Sequence, residues 1–164
     1  AKLDIDNGIV VNKYLQTTNK NIFAIGDIAN FPFNSETGRL RLESIQNAND
    51  QAKIVANNII AIRIKKELLK YSPIPWFWSD QGDLKLQMAG IGNLHAKHHI
   101  LQNQEKGTLT VLHFVNDQLV ALDTMNHGLN HIYGRKLLSS NQIISLDEIN
   151  KFDGNLKSLV SHLN

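Results

Sequence analysis

Apolar side chains change their rhythm along this chain, and the rhythm predicts its elements. Short β-branched runs come first. Ile9-Val10-Val11 follows Asn7-Gly8, a turn signal, and a second run from Asn21 to Ile25 ends in Gly26-Asp27. Both read as strands, the second as a buried strand closed by a glycine turn. Ile45, Ala48, Ala52, Val55, Ile59 and Ile62 are then spaced by threes and fours, which puts them on one face of a long helix. Ser44 is its candidate cap. Arg63, Lys65, Lys66 and Lys70 load its final turns, where positive charge suits the helix dipole, and Pro73 and Pro75 stand beyond its end. Past residue 71 the period becomes two. Leu84, Leu86 and Met88 alternate with Lys85 and Gln87, while Leu109, Val111, His113 and Val115 alternate with Thr110, Leu112 and Phe114. Asn116-Asp117-Gln118 turns the second run back into 119–125, which makes a hairpin. Leu129, Ile132, Tyr133 and Leu137 predict a helix, and so do Leu156, Leu159, Val160 and Leu163. The expected fold class is α+β. Two parts are expected, 1–70 with short strands and the long helix, and 71–164 with an antiparallel sheet and flanking helices.

Composition narrows the function classes. Seventeen Lys and Arg face fifteen Asp and Glu, a net charge of +2, too slight to argue for nucleic acid or a membrane surface as partner. Residues 56–70 hold the one basic patch, at the end of the long helix. Cysteine is absent, which excludes disulfides, iron–sulfur ligation, Cys–zinc sites and a redox dithiol within these residues. No run approaches the roughly 18 apolar residues of a membrane span. Charges stand in residues 1–8 where a secretory leader carries its apolar stretch. A cytoplasmic protein is the simplest expectation.

Three groups of residues are candidates for chemistry. A strand ending in Gly26-Asp27 would place a carboxylate at the carboxyl end of a sheet, where α/β sheets bind ligands and where it can accept from the hydroxyls of a polyol; the alternative is a surface turn. Trp76, Phe77 and Trp78, followed by Ser79-Asp80-Gln81, form the densest aromatic cluster; they suit stacking on a ring system or an ordinary core plug. The histidines form two groups, His95, His98 and His99, and then His127 with His131 at i, i+4. A pair at that spacing can share a metal, but the HExxH pattern is missing because 127–131 reads HGLNH, and solvated histidines are the expected reading. Neither a GxGxxG loop, a P-loop nor a recognisable Ser/His/Asp set occurs, and no catalytic residue is expected.

Together these segments resemble the carboxy-terminal portion of FAD-dependent, NAD(P)H-oxidising ferredoxin or rubredoxin reductases, flavoproteins of the pyridine nucleotide-disulphide oxidoreductase type. The residues that carry the resemblance run in family order: GIVVNKYLQTTNKNIFAIGDIA at 8–29, RLESIQNANDQAKIVANNI at 41–59, PWFWSDQGDLKLQMAGIG at 75–92 and VALDTMNHGLNHIYGRKLL at 120–138. The resemblance implies that 1–70 is the closing strand or strands and long helix of an incomplete FAD-binding domain, and 71–164 a reductase C-terminal domain of the dimerisation type. It implies that Asp27 binds the ribityl chain of FAD, and that Ile45 and Gln46 offer backbone N–H groups to the flavin pyrimidine edge. It places Trp76 and Trp78 beside the isoalloxazine, and makes Lys53 and Lys85 weak candidates for contact with an acidic ferredoxin. The whole family member takes electrons from NAD(P)H through FAD to ferredoxin or rubredoxin. The glycine-rich FAD loop and the NAD(P) domain lie outside these residues, so the isolated chain is expected to be inactive. The alternative is a non-catalytic module that serves domain packing or self-association, with a homodimer as its form.

Overall fold

The computed structural model describes residues 1–33, 38–92, 95–140 and 142–163. They fall into two units, Ala1–Pro73 and Ile74–Asn164.

The first unit is built on three short strands, β1 (Ile9–Val10), β2 (Ala29–Pro32) and β3 (Arg39–Arg41). β1 pairs parallel with β2, and β2 antiparallel with β3. Arg39 ties them together: its guanidinium donates to the Val11 carbonyl at 2.7 Å and to Asn30 Oδ1 at 3.2 Å. The strand expected over 21–25 does not form. Phe23 makes an isolated bridge to Gln16, and Ala24 N donates to the Leu15 carbonyl at 3.3 Å, so this run folds onto the loop before it. The sheet strand follows the Gly-Asp turn instead of leading into it. A five-residue apolar run does not by itself say whether it enters a sheet or covers a loop.

Helix α1 (Ile45–Arg63) starts where expected, with Asn47 N donating to Ser44 Oγ at 3.1 Å. Its buried face is not the expected one. Gln46, Asn47, Gln51, Val55, Asn58 and Ala61 are buried, whereas Ile45, Ile59 and Ile62 are 67, 53 and 48% exposed. The reason is the irregular backbone beneath the helix, whose polar groups must be paired and which the carboxamides pair. Asn58 alone donates to the Tyr14 and Leu69 carbonyls and accepts from Leu69 N at 2.7 Å. The helix also ends earlier than its charges suggest. Lys65 adopts φ 55° and Lys66 N donates to the Ala61 carbonyl at 2.8 Å, so Lys65, Lys66 and Lys70 lie past the last turn. The apolar core of this unit is Val11, Leu15, Ala24, Ala29, Phe31, Val55 and Tyr71, with the Phe31 and Tyr71 rings edge-on at 5.2 Å.

The second unit has the expected α+β form. Five antiparallel strands, β4 (Trp76–Gln81), β5 (Leu84–Gly90), β6 (Lys97–Asn103), β7 (Thr108–Val115) and β8 (Gln118–Met125), lie in the order β4-β5-β8-β7-β6. Asn116 and Asp117, at φ 49° and 60°, make the two-residue turn of the β7–β8 hairpin, the conformation that Asn and Asp tolerate best. Helices α2 (Gly128–Ser139), α3 (Leu146–Lys151) and α4 (Leu156–Leu163) supply the other half of the core. Leu112, Phe114 and Leu122 of the sheet are buried with Leu137, Ile149, Leu156 and Leu159. The sequence reading missed β4, β6 and α3. β6 has only Ile100 and Leu101 as aliphatics among polar residues, as suits an edge strand.

Gly134 lets α2 lie directly on β8. A Cβ at this position would stand 2.3 Å from Leu122 Cδ1, and Leu122 is fully buried. Gly134→Ala is therefore expected to cost about 1–3 kcal/mol. Urea unfolding will show it, and Leu122→Val in the same chain should recover part of the loss.

Candidate functional site

Asp27 occupies a short 3-10 turn, Gly26–Ile28, directly before β2. The turn is held from both sides. Gly26, at φ 72°, donates its N–H to Gln51 Oε1 at 2.7 Å, and the Asp27 carbonyl accepts from Arg41 Nη1 at 2.9 Å. Gly26 also packs against the first turns of α1, where a Cβ on it would meet the Ala48 Cβ at 3.5 Å. The backbone of the turn is thus pinned while the Asp27 side chain is exposed. This is not the sheet-end carboxylate that the expected 21–25 strand would present. It is a carboxylate on a turn docked beside a helix N-terminus. In the first turn of that helix, backbone N–H groups have no carbonyl four residues behind them and carry the positive end of the helix dipole. Ile45 is exposed there, whereas Gln46 is buried and its side chain donates to Asp50.

Trp76 and Trp78 belong to the second unit. They alternate on β4, so both rings lie on one face of the sheet, stacked with centroids 5.6 Å apart and planes at 29°. Trp78 is 44% exposed and Trp76 half-buried. The Arg135 guanidinium carbon lies 4.3 Å from the Trp76 ring centroid, a cation–π contact. The His131 ring lies 5.7 Å from Trp76. His131 is buried, and its Nε2 has no hydrogen-bond partner among the described residues. Burial, with Arg135 nearby, pushes its pKa below the ordinary histidine value. A sequence reading finds the two tryptophans and, as a possible metal pair with His127, His131; that His131 and Arg135, one α2 turn apart, both lie against Trp76 gives no signal until the helix is seen on the sheet.

The remaining candidates are not gathered into a site. Lys53 is 3.5 Å from Asp50 on α1, and Lys85 is an exposed residue of β5. His95 lies before β6, and the adjacent His98 and His99 point to opposite faces of that strand. His98 meets His113, whose Nε2 is 2.7 Å from Asp123 Oδ2. His127 faces Thr110 Oγ1 at 3.1 Å instead of sharing a ligand position with His131. No set of three His, Cys, Asp or Glu that could hold a metal occurs among the described residues, and no described helix is long and apolar enough to cross a membrane. A cleft of about 600 Å³ between α2 and α4, lined by Arg135, Lys136 and Leu163, contains none of the sequence-predicted site residues.

The reductase C-terminal family matches residues 76–160, and the pyridine nucleotide-disulphide oxidoreductase family matches residues 1–52. Rhodocoxin reductase of Rhodococcus erythropolis is 35% identical over 159 residues, which cover 97% of this chain and 36% of that protein. Putidaredoxin reductase of Pseudomonas putida is 30% identical over 139 residues, 85% of this chain and 32% of that protein. Among solved structures, the ferredoxin reductase for the CYP199A2 system from Rhodopseudomonas palustris superimposes with a TM-score of 0.82 at 31% identity, over 96% of this chain and 38% of that one. The covalent putidaredoxin reductase–putidaredoxin complex gives 0.81 at 27% identity, over 98% and 37%. The chain thus spans about a third of the length of these relatives. The fold of the second unit and the match over 76–160 define a reductase C-terminal domain. More narrowly, this chain belongs to the reductase C-terminal family.

His131 makes the second unit sensitive to acid. Its folded pKa is depressed, so the unfolded chain binds more protons as pH falls below about 6.5, and stability falls with pH. His127 is shifted in the same direction, by burial and then by Lys106. Between its depressed folded pKa and the ordinary value of about 6.5, His131 adds a slope of at most about 1.4 kcal/mol per pH unit. His131→Phe should flatten this slope in urea titrations at stepped pH; an unchanged slope would contradict the assignment.

Proposed function

We propose that this chain is the carboxy-terminal part of a reductase that passes electrons from NAD(P)H through FAD to a ferredoxin or rubredoxin in the cytoplasm. The observation that carries this reading is the Gly26-Asp27 turn locked against the first turns of α1. It presents a carboxylate and a helix N-terminus side by side. That donor and acceptor set fits part of a flavin: the carboxylate accepts from ribityl hydroxyls, and the Ile45 and Gln46 N–H groups donate toward the pyrimidine carbonyls. FAD, when bound, supplies the ring that accepts hydride and releases single electrons. The residues of this chain hold its flexible chain, offer positive potential where negative charge grows on reduction, and present indoles to it. In this reading Trp76 and Trp78 are candidates for the route by which electrons leave the flavin, and Lys53 and Lys85 are contacts for an acidic partner surface. The relatives support the acceptor class: rhodocoxin, putidaredoxin and rubredoxin reductases are among them.

In the full-length reductase, Asp27→Ala is expected to weaken FAD binding about tenfold or more, the loss of charge-assisted hydrogen bonds. Trp78→Ala should slow electron delivery to the protein acceptor more than flavin reduction by NAD(P)H. Stopped flow at matched flavin content reads both half-reactions, with Trp76→Ala as companion. Equal slowing of the two half-reactions would reduce Trp78 to a structural plug.

A second reading, a module for self-association, is favoured by one observation. Ile100 and Leu84, 60 and 42% exposed, lie on the sheet face opposite α2 to α4. Residues 1–164 purified alone decide between the readings. We expect a colourless protein that does not reduce dyes with NAD(P)H, since the glycine-rich phosphate loop lies outside them. A stable dimer by sedimentation would support the module, and stoichiometric flavin absorbance would overturn the expected inactivity.

A further inference from the structure

The buried carboxamides of α1 form one continuous run of hydrogen bonds. Gln51 Oε1 accepts from Gly26 N at 2.7 Å, and Gln51 Nε2 donates to Asn47 Oδ1 at 3.0 Å. The Tyr71 hydroxyl donates to the same Asn47 oxygen at 2.9 Å. Asn47 Nδ2 then donates to the Leu42 carbonyl at 2.8 Å, two residues before the Ser44 cap. The run therefore begins at the turn that carries Asp27 and ends where the backbone enters α1. Gln51 and Asn47 have no exposed surface, and Tyr71 is 7% exposed.

Each member has one workable orientation. Asn47 Oδ1 faces two donors, so turning that amide over would set its NH₂ against both. Tyr71 stays a donor because burial, reinforced by the Asp50 carboxylate, raises its phenol far above the ordinary value. The segment bearing Tyr71 is itself clamped. Asn58 brackets the Leu69 backbone, and Tyr71 N donates to the Lys13 carbonyl at 2.8 Å.

We propose that Gln51, Asn47 and Tyr71 are positioning residues that fix the Asp27 carboxylate in register with the first-turn N–H groups of α1, so that one flavin is gripped at its ribityl chain and its pyrimidine edge together. The inference rests on the flavin reading above and adds residues that touch neither flavin nor substrate. Rigid support of this kind sets how much positive potential reaches the ring, because donors that drift by a fraction of an ångström no longer oppose the growing charge.

Two variants test it. Gln51→Leu removes the acceptor of Gly26 N–H and the donor to Asn47. Tyr71→Phe removes one hydroxyl from a ring that keeps its packing on Phe31, and it serves alone if Gln51→Leu does not fold. Two readouts are used: hydrogen exchange of the Gly26 amide in this chain, and the flavin midpoint potential of the full-length reductase, which a merely structural role would not move. Exchange at Gly26 should quicken about tenfold or more in Gln51→Leu and less in Tyr71→Phe. The potential should become more negative in the same order. An unmoved potential overturns the proposal, whether or not exchange quickens, since the amides then only support the fold. An Asp27→Ala reductase with unchanged FAD affinity instead overturns the flavin reading, and the relay's role toward flavin with it. The two failures are distinguishable because Asp27→Ala leaves all three relay residues in place.

Discussion

Irregular backbone taken out of water has to find hydrogen bonds, and in the first unit that requirement governs everything else. Only nine of its described residues are in strands, so most of the described backbone has no ladder to join. The long helix answers with carboxamides. Gln51, Asn47 and Asn58 each reach sideways to a loop that would otherwise carry unpaired N–H or carbonyl groups. Leaving such a group unpaired costs about 1–3 kcal/mol, comparable to burying a sizeable apolar side chain, so a polar face can win the inside of a helix. The aliphatic stripe is displaced outward as a result.

This competition explains what the sequence conveys and what it hides. Periodicity located α1 and Ser44 correctly, because spacing and a capping hydroxyl are local properties. It misidentified the buried side, because whether a glutamine is paired depends on a loop 25 residues away, as at Gly26. The second unit was more legible. The runs at 84–88 and 109–125 show the period of two that a strand imposes, although Leu84, Leu86 and Met88 share the face away from the helices while Ala89, Leu112 and Phe114 meet them, and Asn116-Asp117 marks the turn by backbone preference. Strand β4 was hidden behind its own aromatics, which occupy both faces of the strand and so erase the alternation. Helix α3, six residues long, offers too few positions for any period, although its capping box at Ser145 and Glu148 is a readable start signal.

The candidate site shows the same division. Asp27, Trp76 and Trp78 stand out by residue type and by motif. Their supports do not: Arg41 grips the Asp27 carbonyl, Gln51 grips Gly26, and Arg135 lies over Trp76. These are long polar side chains of common types, chosen by tertiary geometry. Residues proposed to touch a ligand and residues that aim them are therefore legible to different degrees, and only the folded structure joins the two sets.

The stacked indoles also divide the molecule optically. They are the only two tryptophans in the chain, and both lie on β4 in the second unit. Intrinsic tryptophan emission therefore comes from that unit, and its change on unfolding follows the surroundings of β4. At 5.6 Å the two rings are close enough for their electronic transitions to couple. Circular dichroism in the tryptophan bands then follows the geometry of this one pair, a built-in optical gauge of the β4 surface.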